Sequence, residues 1–320
     1  MRIALDAMGG DRAPEVVVRG AFEVARSTGL EVILVGVEDA LRPLLAGAPE
    51  SVSYRQAPQV VAMDEPPSAA LRRKPESSIA IGVQLVKSGE AGAFVSAGNT
   101  GAVMATALFT LGRSPGVERP ALAVPFPTDR GVSLLLDAGA NADVRPSHLV
   151  QFAHLGVTYA KDVLGIPSPR VALLNIGEEP GKGNQLAKEA FDLLTASDVD
   201  FAGNLEGKDL GRGLAEVIVT DGFTGNVAIK VAEGVAENLV SSLRTAILSR
   251  WRYRLAAAVL RPAFRAIARR LDYSEYGGAP LLGVQGTVII AHGRSDERAI
   301  GNAILAAARA AQAGVREGVP

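Results

Sequence analysis

Repeatedly along this chain a short apolar, β-branched run breaks into a turn of Gly, Asn and Asp, and then into a helical pattern. Arg2–Leu5 leads into DAMGGDRAP and a helix near Val16–Arg26. Glu31–Val35 leads through Gly36 to a helix near Asp39–Leu45, and Ala93–Ser96 through AGNTGA to a helix ending at Leu108. Val171–Leu174 runs into NIGEEPGKGN and a helix ending at Leu194, and Val217–Thr220 into DGFTGN and a long helix. Thr287–Ile290 runs into AHGRSD and a helix ending at Gln312. Alternation of this kind predicts an α/β fold with three layers, α/β/α, in which helices cover both faces of a mostly parallel sheet. Ligands of such sheets lie at the carboxyl ends of the strands, where the Gly, Asn, Asp and Lys clusters fall. One segment departs from the pattern: Ala121–Phe126 and Val132–Leu136 flank the turn Thr128–Gly131 and predict an antiparallel hairpin. No linker, low-complexity tract or repeat marks a boundary, so residues 1–320 are expected to form one unit.

Composition narrows the chemistry. Apolar residues make up 48% of 320, enough for a large core. Lys plus Arg is 33 and Asp plus Glu 34, a net charge of −1, so no global field argues for nucleic acid. With no cysteine, disulfides, thiolate catalysis and Cys-ligated zinc are excluded. The first residues, MRIALDAMGGD, hold too short an apolar run for a signal peptide, and no run of 18 apolar residues occurs, so a cytoplasmic chain is expected.

Residues 217–230, VIVTDGFTGNVAIK, are the sharpest of the strand–turn–helix units. A glycine turn opening a helix presents backbone N–H groups and the positive end of the helix dipole, which suits an anion, phosphate first. An ordinary βα turn, with Gly and Asn permitting positive φ, is the equal alternative. Gly222, Thr224, Gly225 and Asn226 are the candidate donors, and Lys230 lies one turn into the helix. Asp221 could cap the turn, orient Lys182 or Lys230, or accept a proton. GEEPGKG at 177–183 misses the P-loop spacing, and Gly183 follows Lys182 where Ser or Thr is needed. Lys182 beside Gly183 still stands as an anion contact, because a lysine on a bare loop adds little to packing. Ser96–Gly101 places Asn99, Thr100 and Gly101 at another helix start, where a simple cap is the alternative. His292 at a strand end is a candidate donor or a satisfied turn histidine, whereas His148 and His154 fall on a helix and read as structural. Asp6, Asp11, Asp137 and Asp221 could ligate Mg²⁺ or cap turns. No GxSxG, HExxH or GxGxxG occurs. The residues together describe an anion site without a protein nucleophile.

Residues 234–272 read differently, as a helical pair interrupted near Arg252–Arg254 and at Pro262, with eight arginines and no acid between Arg244 and Arg270. Leu243, Ile247, Trp251, Leu255 and Val259 recur every four positions, then Leu260, Phe264, Ile267 and Leu271. A protruding basic amphipathic hairpin is expected, packed on its own domain or a second copy with its arginines solvated, on an anionic membrane surface or on an acidic protein.

These residues assemble into a family resemblance. DAMGGD (6–11), MDEPPSAALRRKPESS (63–78), SAGNTGA (96–102), LLDAGANAD (135–143), NIGEEPGKGN (175–184), DGFTGNVAIK (221–230), EYGGAPLLGVQG (275–286) and AHGRS (291–295) resemble the PlsX family of phosphate acyltransferases, in order, from Met1 to about Ala308. The resemblance implies transfer of a fatty acyl group from acyl carrier protein to inorganic phosphate, giving acyl phosphate for phospholipid synthesis. It also implies a fold similar to isocitrate and isopropylmalate dehydrogenases and phosphotransacetylases, a homodimer, and work at the inner membrane face beside a membrane glycerol-phosphate acyltransferase. No metal, nucleotide or other cofactor is implied. Lys182, Asn226 and the Gly222–Gly225 turn would then hold phosphate or the oxyanion, with Asp221 in a catalytic role. Asn99, Thr100, Gly101, Gly183, Lys230 and His292 would add contacts. Arg72, Arg73 and Lys74 would dock the acidic carrier protein, and Trp251, Leu255 and Val259 would touch membrane or a dimer mate. A decarboxylating dehydrogenase needing NAD and metal, and a non-catalytic membrane scaffold that binds acyl carrier protein, are the competing classes.

Overall fold

The computed structural model describes residues 1–264 and 276–314. Its strands are β1 (Arg2–Asp6), β2 (Glu31–Gly36), β3 (Val52–Gln56), β4 (Ala93–Ser96), β5 (Ala121–Leu122), β6 (Val124–Thr128), β7 (Gly131–Leu136), β8 (Val171–Asn175), β9 (Phe201–Glu206), β10 (Val217–Val219), β11 (Ala279–Leu282) and β12 (Thr287–Ile290). The helices are α1 (Glu15–Thr28), α2 (Glu38–Leu41), α3 (Pro67–Arg73), α4 (Ser78–Lys87), α5 (Thr100–Leu111), α6 (Pro146–Asp162), α7 (Gln185–Ala196), α8 (Gly222–Leu248), α9 (Trp251–Val259) and α10 (Glu297–Ala313).

The expected parallel sheet is divided into two. The first has the order β3-β2-β1-β4-β12-β11-β5, the second β6-β7-β10-β8-β9. In the first, β1, β2, β3, β4 and β12 are parallel, with β11 antiparallel to both β12 and β5. In the second, β7, β10, β8 and β9 are parallel and β6 is antiparallel to β7. The first arm of the predicted hairpin therefore serves two sheets: Ala121–Leu122 pairs with β11, and Val124–Thr128 pairs with β7. Backbone bonds tie this junction, Ala123 N to Pro280 O at 2.9 Å and Ala138 N to Leu122 O at 2.9 Å.

The strands form where the sequence alternation places them because their side chains are buried on both faces. Val17, Val24, Ile300 and Ile304, from α1 and α10, cover one face of the first sheet, and Ile79, Val83 and Val103, from α4 and α5, cover the other. Phe152 and Leu194, from α6 and α7, cover one face of the second sheet; its other face meets Ala228 and Ile229 near the start of α8. Phe94 and Phe152 are fully buried, each worth roughly 1.5–3 kcal/mol of apolar transfer. β3 and β9 escape the alternation because they are edge strands with mixed side chains, largely exposed on β3 and half-buried on β9. The helix expected over Asp39–Leu45 tightens after Leu41 into a 3₁₀ turn, Arg42–Leu45, where Pro43 lacks the N–H an α-helix needs.

The two sheets also repeat one device that the sequence reading passed over. Leu5-Asp6-Ala7 ends β1, and Leu136-Asp137-Ala138 ends β7. β1 lies parallel to β4, which runs into Gly98-Asn99-Thr100-Gly101; β7 lies parallel to β10, which runs into Gly222-Phe223-Thr224-Gly225. The basic hairpin is expected over 234–272. In the structure α8 runs unbroken to Leu248, the chain breaks at Ser249–Arg250 rather than at Arg252–Arg254, and α9 ends at Val259. The part of the hairpin at 265–272, Ile267 and Leu271 included, lies outside the described residues.

Candidate active site

β7, β10 and β8 are adjacent and parallel, so their carboxyl ends deliver Asp137, Asp221 and Asn175 side by side. Asp137 organises the first of these ends. Its buried carboxylate accepts N–H bonds from Leu122 at 3.0 Å, Gly139 at 3.2 Å, Ala140 at 3.0 Å and Asn141 at 2.6 Å, and a fifth from Asn141 Nδ2 at 2.9 Å. Burial pushes its pKa above the usual carboxylate value, and these hydrogen bonds pull the other way. The loop so folded carries the start of α8, with Gly222 N donating to Asn141 O at 2.8 Å. Gly222 is required there: a Cβ would stand 2.5 Å from Asn141 O and 2.7 Å from Asp137 Oδ2. Asp221 caps α8, accepting from Thr224 N at 2.8 Å and Thr224 Oγ1 at 2.7 Å. A cleft of about 510 Å³ opens between Gly139, Ala142 and the α8 face bearing Gly222, Phe223, Asn226, Val227, Lys230 and Val231.

Lys182 stands at the end of the neighbouring strand. Its carbonyl accepts from Asn175 Nδ2 at 3.1 Å, and Gly183 follows at φ +92°, where a Cβ would lie 2.5 Å from Asn175 Oδ1. Asn184 caps α7 through Ala187 N at 2.9 Å. Asn204 Nδ2 on β9 donates to Glu179 O at 2.9 Å and ties the loop down. The Lys182 ammonium is only 3.9 Å from Glu179 Oε1, and both side chains are exposed.

The first sheet contributes the loop after β12. His292 Nδ1 accepts from Arg294 N at 3.1 Å, so the neutral ring carries its proton on Nε2. Burial pushes the His292 pKa below its ordinary value. Glu233 and Asp11 oppose that shift, and Lys230 and Arg294 reinforce it. Lys230 Nζ donates to Glu233 Oε2 at 2.8 Å, and Arg294 pairs with Glu237 at 2.7 Å. α8 therefore begins on the second sheet and reaches across the strand ends of the first.

Several expected site residues hold other positions. Asn99 spends its side chain on its own loops: Oδ1 accepts from Ala102 N, and Nδ2 donates to the carbonyls of Ala62, Met63 and Glu65. This buried anchor has no amide proton aimed at a ligand, which corrects its assignment as an anion donor. Thr100 stays exposed in the first turn of α5, and Gly101 lies under Pro67. Asp221 is a cap, which places its carboxylate on the backbone N–H and hydroxyl of Thr224 rather than on Lys182 or Lys230. Lys74 clamps its own loop, donating to Val60 O at 2.7 Å and pairing with Glu65, so only Arg72 and Arg73 of the docking trio are exposed. His148 is structural as expected, buried and paired with Glu118. Among the described residues no three acidic, His or Cys side chains gather as a metal site, and Asp6 is closed off by Ser96 Oγ at 2.7 Å and Met8 N at 3.1 Å. Sequence reasoning missed Glu233 and Glu237. Their spacing from Lys230 on α8, three and seven residues, was the available signal.

The geometry now has relatives to stand beside. The family model described as fatty acid synthesis protein matches residues 1–317. The chain is 49% identical over 328 residues to a phosphate acyltransferase of Heliobacterium modesticaldum, covering 100% of this chain and 98% of that protein. It is 52% identical over 323 residues to a phosphate acyltransferase of Myxococcus xanthus, covering 99% and 92%. Among solved structures, a phosphotransacetylase from Streptococcus pyogenes superposes with a TM-score of 0.66 at 20% identity, covering 98% of this chain and 94% of that one, which establishes a shared fold. Matched from end to end by the model and by relatives near half identity, the chain belongs to the fatty acid synthesis protein family, the PlsX phosphate acyltransferases that its motifs resemble.

Proposed function

We propose that this protein transfers a fatty acyl group from acyl carrier protein to inorganic phosphate. One phosphate oxygen attacks the thioester carbonyl carbon directly. The C–O bond forms, the C–S bond breaks, and the departing thiolate takes up the proton that hydrogen phosphate gives up. No acyl group is attached to the enzyme, because phosphate is itself the nucleophile. The protein's share is to hold two reactants in line and to stabilise the charge on the carbonyl oxygen. The observation that carries this reading is the cleft at the start of α8, where Asn226 and Lys230 stand beside the glycine turn. The N–H groups of Gly222, Thr224 and Gly225 are held by Asn141 O, Asp221 Oδ1 and Asp221 O, so the positive end of α8 with Asn226 and Lys230, rather than those three turn N–H groups, suits a dianion. Lys182, on the next strand end, supplies the second cation, and His292 a donor from the opposite sheet.

On this reading the enzyme acts as a homodimer, cytoplasmic and peripheral to the inner membrane face, and passes acyl phosphate to a membrane glycerol-phosphate acyltransferase. Exposed Arg72 and Arg73 meet the acidic carrier protein. The dehydrogenase and scaffold readings find no support in the names of the relatives above. The test is to mix the protein with palmitoyl-charged acyl carrier protein, vary phosphate, and trap product as the hydroxamate. Phosphate-dependent product is expected, and Lys182→Ala should lower kcat/KM on the order of a hundredfold while leaving the fold intact. Turnover that ignores phosphate, or a folded Lys182→Ala enzyme at wild-type rate, would reject the assignment.

A further inference from the structure

Asn226, Lys230, Glu233 and Glu237 recur at helical spacing along α8, and Glu237 pairs with Arg294 in the loop after β12. Lys230 lines the cleft with its side chain 59% exposed, whereas the Glu233 side chain, 2.8 Å from the Lys230 ammonium, is only 11% exposed. An ordinary surface pair three residues apart leaves both partners in water and adds little stability. Here the acid is largely shielded from water while the base projects into the cleft. A carboxylate so far removed from water needs fixed positive partners. Lys230 is one, and Arg294 stands in the same charged group around His292. His292 is within electrostatic reach of Glu233, Lys230, Arg294 and Asp11, which come from α8, its own loop and the loop after β1. Its Nδ1 is engaged by Arg294 N, so the ring orientation is set from the protein side. The outer pair Arg294–Glu237, at 2.7 Å, fastens the same loop to α8 one turn further along.

We propose that Glu233 is a positioning residue: it holds the Lys230 ammonium, within electrostatic reach of His292, so that Lys230 is aimed at one anion in the cleft. The anion is of the phosphate class, which rests on the acyl-transfer reading above. Glu233 touches neither substrate. It acts by restricting a flexible lysine to one direction and by keeping α8 in register with the loop after β12.

Two measurements separate this idea from the functional reading. In the first, the imidazole signals of the full chain are titrated by NMR. The chain has three histidines, and His292→Gln assigns the one in question. Glu233→Gln should move the His292 midpoint to lower pH, because a negative neighbour is lost; an unmoved midpoint would overturn the proposed arrangement whatever the enzyme's activity. In the second, phosphate is varied with palmitoyl-charged acyl carrier protein as donor. Glu233→Gln should raise the phosphate KM on the order of tenfold, with a smaller change in kcat and the melting temperature kept. Glu233→Asp should recover part of that loss. Wild-type KM in Glu233→Gln would overturn the positioning role, and so would equal loss in the Gln and Asp variants accompanied by a lower melting temperature. Absence of turnover in the wild type would instead reject the acyl-transfer reading, leaving the NMR titration to judge Glu233.

Discussion

Gly225 shows how little freedom the site allows a single residue. A Cβ at this position would fall inside the carbonyl oxygen of Asp137, backbone against backbone, with no flexible side chain to yield. Gly225→Ala should therefore push α8 off the loop at 137–141 and cost on the order of 3 kcal/mol, read as a lower denaturation midpoint with an unchanged m-value. His292 gives a pH-dependent prediction. Its folded pKa lies below the ordinary value because burial disfavours the charged ring, so the native state binds fewer protons than the unfolded chain. The neutral ring's contribution is present above the unfolded pKa of about 6.5 and is lost as pH falls through it toward the folded value. Melting temperatures from pH 7.5 to 5.5 should fall less in His292→Gln than in the wild type. At this scale the sequence was partly readable. Asn226 and Lys230 followed from the turn and helix pattern. Asn99 did not, because a cap, a loop anchor and an anion donor look identical until the carbonyls of Ala62, Met63 and Glu65 are seen to converge on its amide.

α8 and α9 carry the apolar surface that the rest of the fold leaves uncovered. Val231, Val235 and Leu239 on α8 are 59–63% exposed, and Trp251, Leu255 and Val259 on α9 are 61–79% exposed. Contiguous apolar faces of this kind mark contacts with another molecule. No helix among the described residues is long and apolar enough to cross a membrane. The two helices suit different partners. The α8 stripe continues from the cleft and suits a second copy. α9 carries Arg252 stacked on Trp251 and Arg250 on Tyr253, beside exposed Leu255, a mixture that suits an anionic lipid surface. On the homodimer reading proposed above, Leu239→Glu should give a monomer in sedimentation equilibrium and leave flotation with anionic liposomes unchanged. Leu255→Glu should lower flotation and leave the sedimenting mass unchanged. The reverse pattern would exchange the two assignments. The periodicity of both helices was readable from Leu243 onward, but the position of the break was not, because Ser249 and Arg250 carry no strong stop signal.

Across the whole molecule, two sheets present their strand ends to one region, and the short run from β5 to β6 joins them. Arg72 and Arg73 lie exposed on α3, packed beside α5 on the first sheet. Reversing both to Glu should raise the KM for acyl carrier protein several-fold at low salt, with little change in the KM for phosphate; the difference should shrink as salt rises. An unchanged carrier-protein KM would remove these arginines from docking. Alternating strands and helices and strand-end glycines were determined by the sequence itself. Each depends on local periodicity and turn chemistry, which act over a few residues. Only the tertiary structure decided that the strands form two sheets and that Ala121–Thr128 serves both. It also decided that Asp137 gathers five donors and that Glu237 of α8 pairs with Arg294 in the loop after β12. Those outcomes depend on pairing between distant segments, where the competing arrangements use the same side chains and differ only in what lies opposite them.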